Sequence, residues 1–386
     1  MFTSYGHENS DPYQSAQAAV ESFLNNEILE YDKLRNFDFG KNNHRAVSQL
    51  SPFVSHGILN EFDLIKKVLE RHPYSKVEKF VQEVFWRVYW KGWLEHRPTV
   101  YDDFVAFDGH RCPNYDVAIS GKTGISCFDD WVDELKSHNY LHNHARMWFA
   151  SIWIFTLKLP WQLGAKFFLE HLFDGDAASN TLSWRWVAGL QTKGKNYLAR
   201  SSNINKYTSG RYVDVSLCES ASPLFEKQVY EIEELKYPKE SVSRNNQLLV
   251  CDTQLLSHSE FIEPKRYDEI LVVTLNNEDR LIKLSKQVLD LKKRFVESFC
   301  SRTANASIYN GQSLRIKISK TKNIDVLYPS VGENFDFLSK LARSNDLNIN
   351  YLVRNFDRFC WNFSKKGFFN FKKNIPMIID KLNFVG

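Results

Sequence analysis

The spacing of apolar residues changes once along the chain, near Val213, and that change limits the fold more than any other feature. Before it, apolar side chains recur at helical spacing in Gln14 to Glu30, Asn60 to Arg71, Val77 to Glu95, Phe128 to Leu135, His144 to Lys158 and Gln162 to Phe173. Asp11-Pro12 is a helix start signal. His96-Arg97-Pro98, Gly121-Lys122-Thr123-Gly124 and Asp174-Gly175-Asp176 read as connections. Residues 214–246 are polar and charged, the composition of a linker. Beyond them come short β-rich runs: Leu248 to Asp252, Glu269 to Leu275, Ile324 to Tyr328 and Ile349 to Val353. Helical spacing returns between them, at Asp279 to Cys300 and Glu333 to Arg343. Alternating strand and helix predict a small α/β domain with a largely parallel sheet. The chain therefore reads as multi-domain, with an all-α unit over 1–213, a linker over 214–246 and an α/β unit over 247–386.

A length of 386 residues suits two cores better than one. Hydrophobic residues at 43% and charged residues at 25% fit a folded globular chain. The net charge of +4 does not announce a nucleic-acid binder, so any basic surface has to be local. Cys112, Cys127, Cys218, Cys251, Cys300 and Cys360 lie far apart without a Cys-x-x-Cys pair. That pattern argues against a zinc site or an iron–sulfur cluster and for free thiols. The N-terminus lacks a basic start followed by an apolar stretch, and the run Met147 to Leu159 is shorter than a membrane span of ~20 residues. A cytoplasmic protein without a membrane segment is expected. Of ten tryptophans, seven fall between Trp86 and Trp161, and two more form Trp184-Arg185-Trp186. A single tryptophan usually packs a core, whereas so dense a cluster suits a large planar ligand or stacked bases.

Seven segments carry the chemistry. They are Tyr31-x-x-x-Arg35, Ser48-Gln49-Leu50-Ser51-Pro52-Phe53 followed by His56-Gly57, Glu83-Val84-Phe85-Trp86-Arg87 and Gly121-Lys122-Thr123-Gly124. Then follow His142-Asn143-His144-Ala145-Arg146-Met147, Asp174-Gly175-Asp176-Ala177-Ala178-Ser179-Asn180 and Trp184-Arg185-Trp186. In this order and spacing they resemble the flavin domain of class I-type DNA photolyases and cryptochromes. The resemblance implies an all-α photolyase-type FAD-binding domain and FAD as cofactor. Taken alone, Asp174-Gly175-Asp176 could be a solvated turn, a Mg²⁺ ligand pair or acceptors for a sugar or a ring N–H. In the family pattern both aspartates face the flavin and Asp174 pairs with Arg146, an arrangement that can hold a charged flavin. Asn180 matches the residue beside the reactive ring nitrogen. Ser48, Gln49, Leu50 and Ser51 resemble the loop that holds the FAD phosphates, where hydroxyls and backbone N–H groups suit an anion. Val47 and Gln49 stand there in place of a hydroxyl and a basic residue often found. Tyr31 matches a further FAD contact.

On the substrate side, Glu83, Trp86, Asn143, Met147 and Trp186 match the lining of the pocket that takes an extruded cyclobutane pyrimidine dimer. Enzymes for (6-4) photoproducts carry histidines at the positions of Asn143 and Met147, so the cyclobutane lesion is implied. Arg35, Arg87 and His144 match contacts to DNA phosphates. His138, His142 and His144 share helical spacing without a carboxylate at metalloprotease spacing, and no metal is expected. Trp184 and Trp161 match the inner and middle members of the family's electron relay. Phe107-Asp108 occupies the expected place of its surface tryptophan, leaving Tyr101, Trp148 and Trp153 as candidate substitutes.

Family members usually carry an α/β antenna domain before the flavin domain. Leu248 to Gln254, Tyr267 to Val273 and Arg354 to Phe359 resemble that domain, which implies a reversed order with 247–386 as the displaced unit. The implied activity is light-driven, FAD-dependent splitting of cyclobutane pyrimidine dimers in damaged DNA, by electron transfer from photoexcited reduced flavin. The alternatives are a cryptochrome-like blue-light photoreceptor without repair activity and a light-independent FAD scaffold.

Overall fold

The first helix starts where the sequence places its cap: the Asp11 carboxylate accepts the Gln14 N–H at 3.0 Å, and Pro12 contributes a preset φ. The computed structural model describes residues 10–41, 43–45, 47–109, 113–235, 237, 241–256, 261–262 and 267–384. Helix α1 (Pro12–Asn26) is followed by α2 (Tyr31–Leu34), α3 (Ser51–Ser55), α4 (Glu61–Arg71) and the long α5 (Tyr74–Glu95). Next come α6 (Thr99–Ala106), α7 (Pro113–Ile119), α8 (Ser126–His138) and α9 (Asn143–Ser151). The helix expected to continue to Lys158 instead widens into a π-helical turn over Ile152–Thr156. Three more helices, α10 (Trp161–His171), α11 (Ala177–Ala188) and α12 (Ser201–Tyr207), complete this half.

The residues that follow run as an extended strap over the helices. The Leu224 N–H donates to the Ala188 carbonyl, the Glu233 N–H donates to the His96 carbonyl, and Glu226 pairs with Arg185. The strap leads into a sheet of β1 (Gln247–Cys251), β2 (Glu269–Val273), β3 (Ala306–Tyr309), β4 (Asn323–Leu327) and β5 (Asn348–Leu352). All pairings are parallel in the order β3-β2-β1-β4-β5, with Leu249 opposite Leu271 on one side and Val326 on the other. Helices α13 (Lys286–Arg302), α14 (Gly311–Lys317), α15 (Glu333–Asn345), α16 (Asn355–Trp361), α17 (Phe368–Lys372) and α18 (Ile375–Phe384) accompany it. The helix expected from Asp279 begins only at Lys286. Arg280 is drawn into the interior, where it bonds the Leu275 carbonyl and pairs with Asp252 and Glu333.

The two sheet faces belong to different cores. Leu249, Cys251, Leu271 and Val273 pack with Leu314, Phe337 and Leu338. Leu248, Val250, Ile270 and Val272 face α13 and merge with the core of the helical half. Phe295 of α13 stacks on Phe53 of α3, with ring centroids 5.8 Å apart. On α5, a Cβ at Gly92 would lie 2.5 Å from Trp361 Cδ1, so the lack of a side chain is what lets α16 seat against α5. Where the strand order reverses, between β1 and β4, a recess opens against the helical half, with Lys91, Glu95, Lys292 and Asn334 in its walls. Among the described residues, Cys127, Cys218, Cys251, Cys300 and Cys360 are free thiols, while Cys112 lies outside them. No described helix is long and apolar enough to cross a membrane.

Candidate flavin and DNA site

A tight turn after α10 presents the acidic pair. The Gly175 N–H bonds the Leu172 carbonyl, and the Phe173 N–H bonds Asn139, which ends α8 in a left-handed conformation. Arg146, on the first turn of α9, is oriented by a bond from its Nε to the Leu141 carbonyl and reaches Asp174 Oδ2 at 2.9 Å. The Asp174 side chain is 6% exposed. Its Oδ1 is buried without a hydrogen-bond partner among the described residues. An unsatisfied carboxylate oxygen beside a guanidinium is the acceptor that a ring N–H or a ribose hydroxyl of FAD requires, so these residues fit that cofactor.

Asp176 is the N-cap of α11, accepting the Ser179 N–H at 2.7 Å. Burial raises its carboxyl, but Arg87, Lys91 and the Ser179 N–H more than offset this and hold it below the ordinary carboxylate range. Asn180, one turn further, donates its amide to the Ala165 carbonyl at 2.9 Å and keeps a second N–H. The Ser55 hydroxyl lies 2.6 Å from the Ser51 carbonyl and 3.3 Å from that of Asp174, which brings the Ser48–Ser51 segment beside the acidic turn. Within that segment Gln49 has a positive φ of 49°, and the Leu50 N–H donates to Ser48 Oγ. Tyr31 meets Phe23 and Phe80 edge-on, and burial raises its hydroxyl pKa.

Of the residues matched to the substrate side, Arg35 bonds Glu83, whose side chain keeps 34% exposure. Burial raises the Glu83 carboxyl while Arg35 opposes the rise. Trp86 and Trp186 are half-buried, Asn143 is exposed and Met147 is half-buried. Trp86 stacks on Phe368 of α17, and Trp186 stacks on Tyr197 with centroids 5.7 Å apart. Two residues matched to DNA phosphates have internal partners instead. Arg87, with a side chain 13% exposed, reaches Asp176 at 3.1 Å and Glu61 at 3.5 Å. His144 stacks on Trp148 and places its ring nitrogens against the Asn36 carbonyl and the Tyr197 hydroxyl. His142 caps α9 by accepting the His144 N–H, and burial lowers its pKa to about 4. His138 bonds Ser137. No group of three metal-ligating side chains occurs among the described residues.

The aromatic chain takes an unexpected course. Trp184 is buried in edge-on contact with Phe168 and Trp153, the Trp153 centroid lying 6.2 Å away. A Cβ at Gly164 would meet both indoles, so a glycine there permits their approach. Trp161 stacks on Phe104 at 5.5 Å beneath the Arg185 guanidinium. Phe107 lies beside α10, where its carbonyl accepts from Lys166.

Two contributors escaped the sequence reading. Tyr140 forms the floor under Arg146 and meets the His44 ring. Residues 177–213 hold six lysines and arginines and no acid, and Lys193, Lys195, Arg200 and Lys206 of that run are exposed. Counting acids along the chain would have exposed that basic stretch.

Residues 80–218 match the family described as the FAD binding domain of DNA photolyase. The deoxyribodipyrimidine photo-lyase of Streptomyces griseus is 32% identical over 183 residues, 46% of this chain and 39% of the relative. That of Agrobacterium fabrum is 31% identical over 181 residues, 44% of this chain and 36% of the relative. The Escherichia coli protein of the same name is 25% identical over 195 residues, 48% and 40% of the two chains. This chain thus spans about two fifths of the length of these relatives. Among solved structures, a class III photolyase from Agrobacterium tumefaciens superposes with a TM-score of 0.45 at 25% identity, covering 51% of this chain and 42% of that one. The Synechocystis cryptochrome superposes with a TM-score of 0.47 at 20% identity, covering 54% and 46%. Within the helical half, residues 80–218 are therefore similar to the FAD binding domain of DNA photolyase, over a stretch that these photo-lyases share.

Proposed function

We propose that this protein is a light-driven, FAD-dependent DNA lyase that splits cyclobutane pyrimidine dimers. The observation that carries the reading is the buried Arg146–Asp174 pair with one unsatisfied carboxylate oxygen, inside the matched segment 80–218. FAD, when bound, supplies the electron that light makes available. Arg146, Asp174 and the second N–H of Asn180 would hold its ring system, with Ser48, Gln49, Leu50, Ser51 and Tyr31 toward its phosphates and sugars. Trp86 and Trp186 offer aromatic faces to an extruded dimer, and the Asn143 amide is free to bond a pyrimidine edge. Burial raises the Glu83 carboxyl, which would bond a pyrimidine edge once Arg35 turns from it to a phosphate. Exposed Lys193, Lys195, Arg200 and Lys206 supply cations for the backbone. In this reading the α/β half over 247–386 would be a photolyase-related α/β domain displaced to follow the flavin domain.

The test is repair by the purified protein, chemically reduced and loaded with FAD, on an oligonucleotide with one thymine dimer. Loss of the dimer under blue light and not in the dark is the expected result. Intact dimers after illumination, with FAD bound and reduced, would overturn it and leave the photoreceptor reading.

A further inference from the structure

The segment 365–373 reads Lys365-Lys366-Gly367-Phe368-Phe369-Asn370-Phe371-Lys372-Lys373, with aromatic rings enclosed by lysines on both sides. It lies in the α/β half, outside the matched family segment. From Arg358 to Lys381 the chain carries six lysines and arginines and one acid, against a net charge of +4 for the whole protein. This is a second local concentration of positive charge, beside the acid-free run of 177–213.

The structure packs this segment against α5. Phe368 stacks on Trp86 with centroids 3.6 Å apart and planes within 13°. Phe371 packs on Phe85 and Tyr89, and Lys372 pairs with Glu78 at 3.6 Å. With its neighbours so anchored, Phe369 projects into solvent at 80% exposure, and Lys365, Lys366 and Lys373 are exposed around it. A phenyl ring held 80% exposed among three exposed lysines offers a stacking face to a planar, anionic partner.

We propose that segment 365–373 is a DNA-contacting element, in which Phe369 stacks on an unpaired base while Lys365, Lys366 and Lys373 hold the flanking phosphates. The inference rests on the DNA-binding reading above, because the segment is fixed to Trp86, one turn along α5 from Glu83. Nucleic acid is favoured over a lipid surface by the pattern of exposure. A membrane-seeking helix needs a contiguous apolar face, whereas here Phe368 and Phe371 point into the core and Asn370 and Lys373 flank the single protruding ring. One ring between cations is what a base stack needs.

The test uses the full-length flavoprotein, a fluorescent duplex carrying one thymine dimer, and vesicles of phosphatidylserine and phosphatidylcholine. Phe369→Ala should weaken DNA binding about tenfold, and Phe369→Trp should restore it. The triple variant Lys365→Gln, Lys366→Gln, Lys373→Gln should lower the slope of log affinity against log salt by about two to three. Flavin content and melting temperature should stay unchanged, since all four side chains are exposed. Unaltered affinity and slope in both variants would overturn the inference alone. Vesicle binding by the wild type that is lost in these variants, with DNA binding intact, would replace the partner by a membrane. Failure of the wild type to bind DNA would overturn the functional reading and this inference with it.

Discussion

Glu95, 7% exposed at the end of α5, is one of the acids through which the helical half grips the α/β half. It accepts the Tyr328 hydroxyl at 2.6 Å and the Val331 N–H at 2.8 Å, both from the loop after β4. Burial lifts its carboxyl to about 7, although the two hydrogen bonds and Lys91 pull the other way; Asp357 adds to the rise. A carboxyl whose folded pKa exceeds its ordinary 4.5 binds a proton more tightly in the folded state. Its contribution to stability is complete below pH 4.5 and is lost as pH rises through about 7. At about 1.36 kcal/mol per pH unit, that interval corresponds to a loss of about 3 kcal/mol. Glu95→Gln removes the titration and keeps the contacts, because the amide oxygen can accept from Val331 while its NH₂ donates to the Tyr328 oxygen. Urea unfolding of both proteins, followed by tryptophan emission from pH 5 to pH 9, measures the difference. Glu134, at about 8, and Asp336, at about 6, titrate in both proteins and cancel in the comparison. The variant should gain about 3 kcal/mol on the wild type between the two ends. A difference that stays flat across this range would refute the reasoning.

Arg87→Ala should cost about 3–5 kcal/mol in thermal or urea unfolding, because Asp176 and Glu61 stay buried without it, and should leave the salt dependence of DNA binding alone. Unchanged stability with a shallower salt slope would instead make Arg87 a phosphate contact. Asp174→Ala and Arg146→Ala should each purify with little flavin, measured as the absorbance ratio of flavin to protein; full occupancy in both would move the site elsewhere. Trp153→Phe should slow photoreduction of bound FAD by an external thiol more than Trp161→Phe does, since Trp153 is the indole touching Trp184. The opposite ranking would return the relay to Trp161.

How much of this was legible depended on what each residue touches. β1 and β2 show in the sequence because they are apolar runs buried on both faces, and β4 and β5 show through Ile324, Val326 and Leu327 and through Ile349, Tyr351 and Leu352, despite the polar Asp325 and Asn350 inside them. β3 stays hidden: Ala306-Ser307-Ile308-Tyr309 forms a half-exposed edge with no apolar run to mark it. Asp11 and Asn60 announce helix starts because their side chains bond the first free N–H groups, whereas Asp176, read as part of a connection, caps a helix that the sequence reading did not place. The π-helical turn at 152–156 gives no sign, since one shifted hydrogen bond barely alters apolar spacing. At the site, the family resemblance implied the Arg146–Asp174 pair that the structure forms. Arg87 defeats such reading because its partners lie on α4 and at the start of α11, and only folding brings these together. The basic stretches were masked by summing charge over the whole chain, where acids elsewhere nearly cancel them.

The way the halves share one core also sets a clock on biosynthesis. Tyr13 in α1 donates to the Leu255 carbonyl 242 residues later, Asp11 pairs with Arg302 291 residues later, and His96 bonds the Trp361 carbonyl 265 residues later. At ribosomal rates of about 5–20 residues per second, the first helix waits on the order of tens of seconds for these partners to emerge. During that wait the groove on α5 opened by Gly92 faces water, since the Trp361 that fills it has not been made. The time taken to synthesise the residues between Gly92 and Trp361 therefore sets how long the α5 groove of a nascent chain stays uncovered.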